Sequence, residues 1–129
     1  MNKNVKALGL AAFIGGAGVT HFVRPEFYDA IVPRWMPGSP RTTTYVSGAV
    51  ELAGAGLVAN PRTRRFGALW CLATFACVYP ANLQGAIDGG YEGMEGPGGS
   101  AAAAWIRLPL QIPMFMWAIS VARDAKSQD

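Results

Sequence analysis

The stretch 101–122, AAAAWIRLPLQIPMFMWAISVA, holds a single charged residue, Arg107, in a run long enough to cross a bilayer as a helix. At a rise of about 1.5 Å per residue, about 20 apolar residues match a hydrocarbon core about 30 Å thick. Three more such runs precede it: 66–83 (FGALWCLATFACVYPANL), 43–59 (TTYVSGAVELAGAGLVA) and 7–23 (ALGLAAFIGGAGVTHFV). None alternates polar and apolar residues at period two, so a membrane β-barrel is not supported. The pattern predicts an all-α chain, a four-helix transmembrane bundle forming one domain over 1–129.

Composition points the same way, since 51% of the residues are hydrophobic and only 15% are charged, too few to wet the surface of a soluble domain. The formal charge is +3, but the basic residues lie in short clusters between apolar runs. Nucleic-acid binding would need a basic stripe with interleaved aromatics, and there is none. Cys71 and Cys77 share one run; six residues along a helix put them about 120° apart around its axis, so they neither pair nor form a CxxC motif. The basic start and first apolar run have the outline of a signal peptide. Removing that segment would strand three further membrane runs, so it is read as helix one.

Between helices one and two, Pro25, Pro33, Pro37 and Pro40 break up a segment with Phe27, Tyr28, Ile31 and Val32 at helical spacing. A short interfacial helix is predicted over 25–32, with Trp35 and Met36 at headgroup level. Gly48, Gly54 and Gly56 allow helix two to pack closely against neighbours. Pro109 and Pro113 are expected to kink helix four, whose Met114, Met116 and Trp117 serve lipid contact and packing. The segment 89–100 is glycine-rich, with Asp88, Glu92 and Glu95 and no lysine, which predicts a mobile loop and not a phosphate cradle. Lys3, Lys6, Arg62, Arg64, Arg65, Arg123 and Lys126 fall on one side of four spans. Basic residues near span ends stay in the cytoplasm, so both termini are expected there.

The exceptions to the apolar pattern are His21, Ser47, Glu51, Asn82, Arg107 and Gln111. An ionisable side chain at mid-bilayer costs at least about 2.5 kcal/mol unless it is compensated. With this orientation His21 and Asn82 lie at the outer ends of their helices, Arg107 about 9 Å and Glu51 about 12 Å inward. Ser47 and Glu51 are one turn apart, as are Arg107 and Gln111, so each pair shares a helix face. The expectation is a buried Glu51–Arg107 ion pair, with Gln111, Ser47 and His21 satisfying the remaining hydrogen-bonding positions. Such a cluster either fixes helix packing or forms an outward pocket for a small amphipathic molecule such as a quinone head. One histidine does not make a zinc site, and no nucleophile elbow or inward aspartate supports Ser-His-Asp chemistry, so no metal and no catalytic residue is assigned.

Several of these residues together resemble the DoxX-like family of small four-helix membrane proteins. They are Gly18, His21 and Phe22 followed by Pro25, Phe27, Tyr28, Ile31, Val32 and Pro33; Tyr45, Ser47, Gly48 and Glu51; Pro61 to Arg65; Pro80, Ala81 and Asn82; and Arg107 to Gln111. Relatives in that wider group include a membrane subunit of thiosulfate oxidation with quinone as acceptor, partners of redox enzymes in oxidative defence, and a maturation protein for a periplasmic dehydrogenase. The resemblance implies a bacterial-type inner-membrane location and an accessory subunit of a membrane redox system. It makes quinone the candidate cofactor and a membrane or periplasmic redox protein the candidate partner, beside the lipid bilayer. This chain lacks an outward cysteine pair, which argues against thiol exchange. A scaffold docking a larger complex through Gly48, Gly54 and Gly56 is the alternative, and a small-solute transporter ranks last because four helices leave little room for alternating access. The sequence is compatible with a homo-oligomer and carries no mark of one.

Overall fold

Local signals set where each helix begins in the structure, a computed structural model that describes residues 2–94 and 96–126. Asn2 caps α1 (Lys3–Val23) by accepting from the Asn4 N–H at 2.8 Å. Pro25 opens the short α2 (Pro25–Asp29). Ser39 accepts from the Thr42 N–H at 3.2 Å and Pro40 occupies the first turn, so α3 (Pro40–Ala59) starts ahead of its apolar run. Two further helices follow, α4 (Arg64–Ile87) and α5 (Ala101–Lys126), the latter led in by a 3₁₀ turn at Pro97–Gly99 and by the Ser100 hydroxyl, which accepts from the Ala103 N–H at 3.2 Å. Both Pro109 and Pro113 lie inside one continuous α5.

The interfacial helix is shorter than 25–32. It ends at Asp29, and the chain continues in single turns such as Ile31 N–H to Tyr28 C=O at 2.9 Å. The ring of Pro33 disfavours helical backbone at Val32, which stops propagation.

By length and composition, α1, α4 and α5 are apolar enough to cross a membrane. At 20 residues α3 is the shortest of the four long helices, and Thr42, Thr43, Thr44, Ser47 and Glu51 lower its apolar content. The four long helices pack in a ring, α1 on α3, α3 on α4, α4 on α5 and α5 on α1. Leu10, Ile14, Val58, Cys71, Phe75 and Val121 fill the centre with Ala7, Ala68 and Ala118. Leu8, Phe13, Phe66, Ile106, Ile112 and Met116 point outward and are exposed. A soluble monomer rarely carries so broad an apolar surface, whereas lipid solvates it.

Glycine sets the closest approaches. A Cβ on Gly67 would lie 2.6 Å from the Leu57 carbonyl carbon, so α3 and α4 meet backbone to backbone. A Cβ on Gly48 would lie 2.7 Å from His21 Cβ, which brings the end of α1 hard against α3. At the other end of the ring, Lys6 donates to Asp124 at 2.8 Å and to Ser120 at 2.6 Å, tying the start of α1 to the end of α5.

The loop after α4 is pinned rather than loose. Gly90 and Ser100 form an antiparallel bridge, and the Tyr91 N–H donates to the Gly99 carbonyl at 2.9 Å. Tyr91 itself is buried beside Ala86, Ala104 and Leu108, seated on Gly85, where any side chain would collide with its ring. Of the acidic residues read from this loop, Glu95 lies outside the described residues. Glu92 pairs with Arg34, which joins the loop to the segment between α2 and α3.

Candidate functional site

His21 occupies the last turn of α1, where the Gly48 gap lets α3 approach, and its ring is buried. Its Nδ1 lies 2.7 Å from the Ala17 carbonyl, which can only accept, so Nδ1 carries the proton. Glu51 Oε2 stands 3.2 Å from the same nitrogen but makes no hydrogen bond among the described residues. The Nδ1 hydrogen is directed at Ala17, so Glu51 gains proximity without a bond.

The short α2 folds back over this pair. Tyr28 stacks on the His21 ring with centroids 3.5 Å apart and planes 18° apart. Thr20 donates its hydroxyl to the Ala17 carbonyl at 2.7 Å, so across the 2.5 Å contact between the Thr20 and Tyr28 hydroxyls it is Tyr28 that donates. At the end of α2, Asp29 accepts from Thr44 at 2.6 Å and from Arg41 at 2.8 Å, which pins the cover to the start of α3.

Beneath this cover lies a pocket of about 340 Å³ between α1, α3 and α4. Its polar wall includes His21, Tyr28, Thr44, Ser47, Glu51 and Asn82, and its apolar wall includes Ile31, Val32, Trp35, Val78 and Pro80. Cys77 also faces it. Asn82 accepts from the Tyr91 hydroxyl at 3.2 Å, so the docked loop after α4 reaches the pocket through one side chain. The volume and the apolar lining with a few convergent polar groups suit a small ring compound.

Four of the six sequence-predicted residues, His21, Ser47, Glu51 and Asn82, thus share one pocket, and two do not. The expected Glu51–Arg107 ion pair does not form: the ionic neighbour of Glu51 is His21. The two partners sit on α3 and α5, which face each other diagonally across the ring rather than packing side by side. Arg107 instead lies 4.9 Å from the centroid of Tyr91 and 5.6 Å from that of Phe27, and donates to the Gly98 carbonyl at 3.4 Å. Gln111, one turn further along α5, is buried with its Oε1 lacking a hydrogen-bond partner among the described residues. Tyr28 is the site residue the sequence reading missed. Its signal was the seven-residue step from His21 across the Pro25 turn, which folds α2 back onto α1.

This geometry makes Arg107 a loop anchor. Arg107→Met is expected to leave the helices intact and to free the Tyr91 loop, because two cation–π contacts of roughly 1 kcal/mol each are lost. Limited proteolysis in detergent should cut within 89–100 several-fold faster than in the parent. An unchanged cleavage rate would reject the anchoring role.

The chain belongs to the family described as a domain of unknown function (DUF8561), whose pattern matches residues 10–122, a span that takes in every candidate site residue. No curated protein and no solved structure matches it.

Proposed function

We propose that this chain is a four-span membrane subunit that binds a small amphipathic ring compound, such as a quinone head group, in the pocket beneath α2. In this reading α3 is the fourth span, with Thr43, Thr44, Ser47 and Glu51 turned to the pocket rather than to lipid. The ends of α1 and α5 that share the Lys6–Asp124 tie carry the basic clusters, which supports both termini in the cytoplasm of a bacterial-type cell and the pocket in the outer half of the bilayer. Together with the resemblance to DoxX-like proteins, this makes the protein an accessory, non-catalytic or co-catalytic partner of a membrane redox system.

The observation that carries the proposal is the convergence of His21, Ser47, Glu51 and Asn82 on one apolar-walled pocket of about 340 Å³. It is tested by native mass spectrometry and quinone extraction on protein isolated gently from its own membrane. A stoichiometric quinone is expected, falling at least about tenfold in Glu51→Leu, since a hydrogen bond to a charged group contributes about 1.5–3 kcal/mol. A bare protein, or a quinone retained by the variant, rejects the pocket. Gly16 and Gly56, which have nothing within 4 Å of an added Cβ, favour the scaffold as second reading. A protein partner lost only when these two become leucine would support it.

A further inference from the structure

At the corner of the pocket between α1 and α3, His21 and Glu51 stand side by side with no hydrogen bond between them. The Nδ1 hydrogen of His21 is taken by the Ala17 carbonyl at 2.7 Å, so the neutral ring offers Nε2 only as an acceptor. Glu51 Oε2, 3.2 Å from Nδ1, is buried without a hydrogen-bond partner among the described residues. The Tyr28 hydroxyl directs its own hydrogen to Thr20. Lysine and arginine are absent from the described lining, so no fixed cation favours a carboxylate or phosphate there. The rest of the lining sets the hydroxyls of Thr43, Thr44 and Ser47 and the amide of Asn82 among apolar and aromatic groups, and the His21–Tyr28 stack presents flat ring surface.

Resting on the reading of this pocket as a ligand site, we propose that it selects a hydrogen-bond donor, namely a hydroxyl on a planar ring that carries an aliphatic substituent. The phenolic or hydroquinone form of a ring compound is held in preference to the dicarbonyl form, whose oxygens would face acceptors. Ser47 can donate or accept and the Asn82 amide can donate, so neither excludes the dicarbonyl form, and the preference rests on Glu51.

The matched probes 4-hexylphenol and 4-hexylanisole differ in one donor and need no redox control. Full-length protein in nanodiscs is labelled at Cys77, which faces the pocket, with N-ethylmaleimide; Cys71 is buried. Each probe's protection is followed by mass spectrometry. The phenol is expected to protect with an apparent affinity at least about tenfold above that of the anisole. In Glu51→Gln, of near-identical shape with a donor in place of one acceptor, the ratio is expected to fall below about threefold. Equal protection by both probes in the parent overturns the donor preference and leaves the pocket standing. Stronger protection by the anisole overturns it in the opposite sense, with Glu51 acting as donor. Protection by neither removes the pocket reading as well. The comparison in the parent protein decides the matter even if the variant does not fold.

Discussion

Replacing Gly48 by valine is expected to destabilise the protein by about 3 kcal/mol, at the upper end of what overpacking costs. The position lies where α1 and α3 cross, and its missing side chain is what permits the crossing. An added Cβ would meet His21 Cβ and Phe22 Cε2 at 2.7 Å, and the Gly18 carbonyl at 3.2 Å. A Cβ and a backbone oxygen have no rotamer with which to yield, so the helices must separate. Separation also withdraws His21 from Glu51, so the pocket should fail with the fold. Gly56, two turns further along the same helix, has open space around it, and valine there should shift stability by no more than about 0.5 kcal/mol. Thermal unfolding in detergent, followed by circular dichroism, should separate the two by on the order of 10 °C. If both substitutions lower the midpoint alike, the loss reflects valine in a helix rather than the crossing.

The contrast between Gly48 and Gly56 also shows what could be read beforehand. Apolar runs announced the helical class and the three most apolar helices, because lipid or core burial demands residue type over a whole segment. The glycines of α3 looked equivalent, yet Gly48 faces α1, a Cβ on Gly54 would lie 3.0 Å from Trp70 Cδ1, and Gly56 faces outward. Which side a glycine serves depends on the neighbour, and a neighbour is not local information. The same gap explains the missing Glu51–Arg107 pair. Depth and helix face follow from counting residues, but the order of helices around the ring does not, and it is that order which sends Glu51 to His21 and Arg107 to Tyr91. The loop after α4 was misjudged for a related reason. Its glycines favour freedom, but Tyr91 finds a slot above Gly85 made by tertiary packing. The His21, Ser47, Glu51 and Asn82 group was legible because polar residues inside apolar runs need partners, and three of those helices happen to be neighbours.

Arg64 and Arg65 pose the sharpest form of that problem, and Arg64→Met is expected to cost about 3 kcal/mol while Arg65→Met costs less than about 0.5 kcal/mol. Read along the chain, the two are interchangeable positive charges at the entrance to a membrane run. In the fold Arg64 is buried, at 5% exposure, whereas Arg65 is exposed. The Arg64 guanidinium donates to the Val58 carbonyl at 2.9 Å, to the Ala59 carbonyl at 3.2 Å and to Asn4 Oδ1 at 2.8 Å. Val58 and Ala59 end α3, so their carbonyls have no partner within the helix. One side chain thus closes the C-terminus of α3, opens α4 and reaches the first turn of α1. Methionine fills the stem but leaves those acceptors without a donor, and the loss of a planar fork cannot be made good by a point charge. Lysine at position 64 should therefore recover less than half of the loss. Chemical denaturation in mixed micelles gives all three values. If Arg64→Met and Arg65→Met fall together, the pair acts only through charge at the membrane edge, as orientation requires. A loss confined to Arg64 shows that a residue placed by the topology rule is at the same time the knot that ties the end of α3, the start of α4 and the first turn of α1.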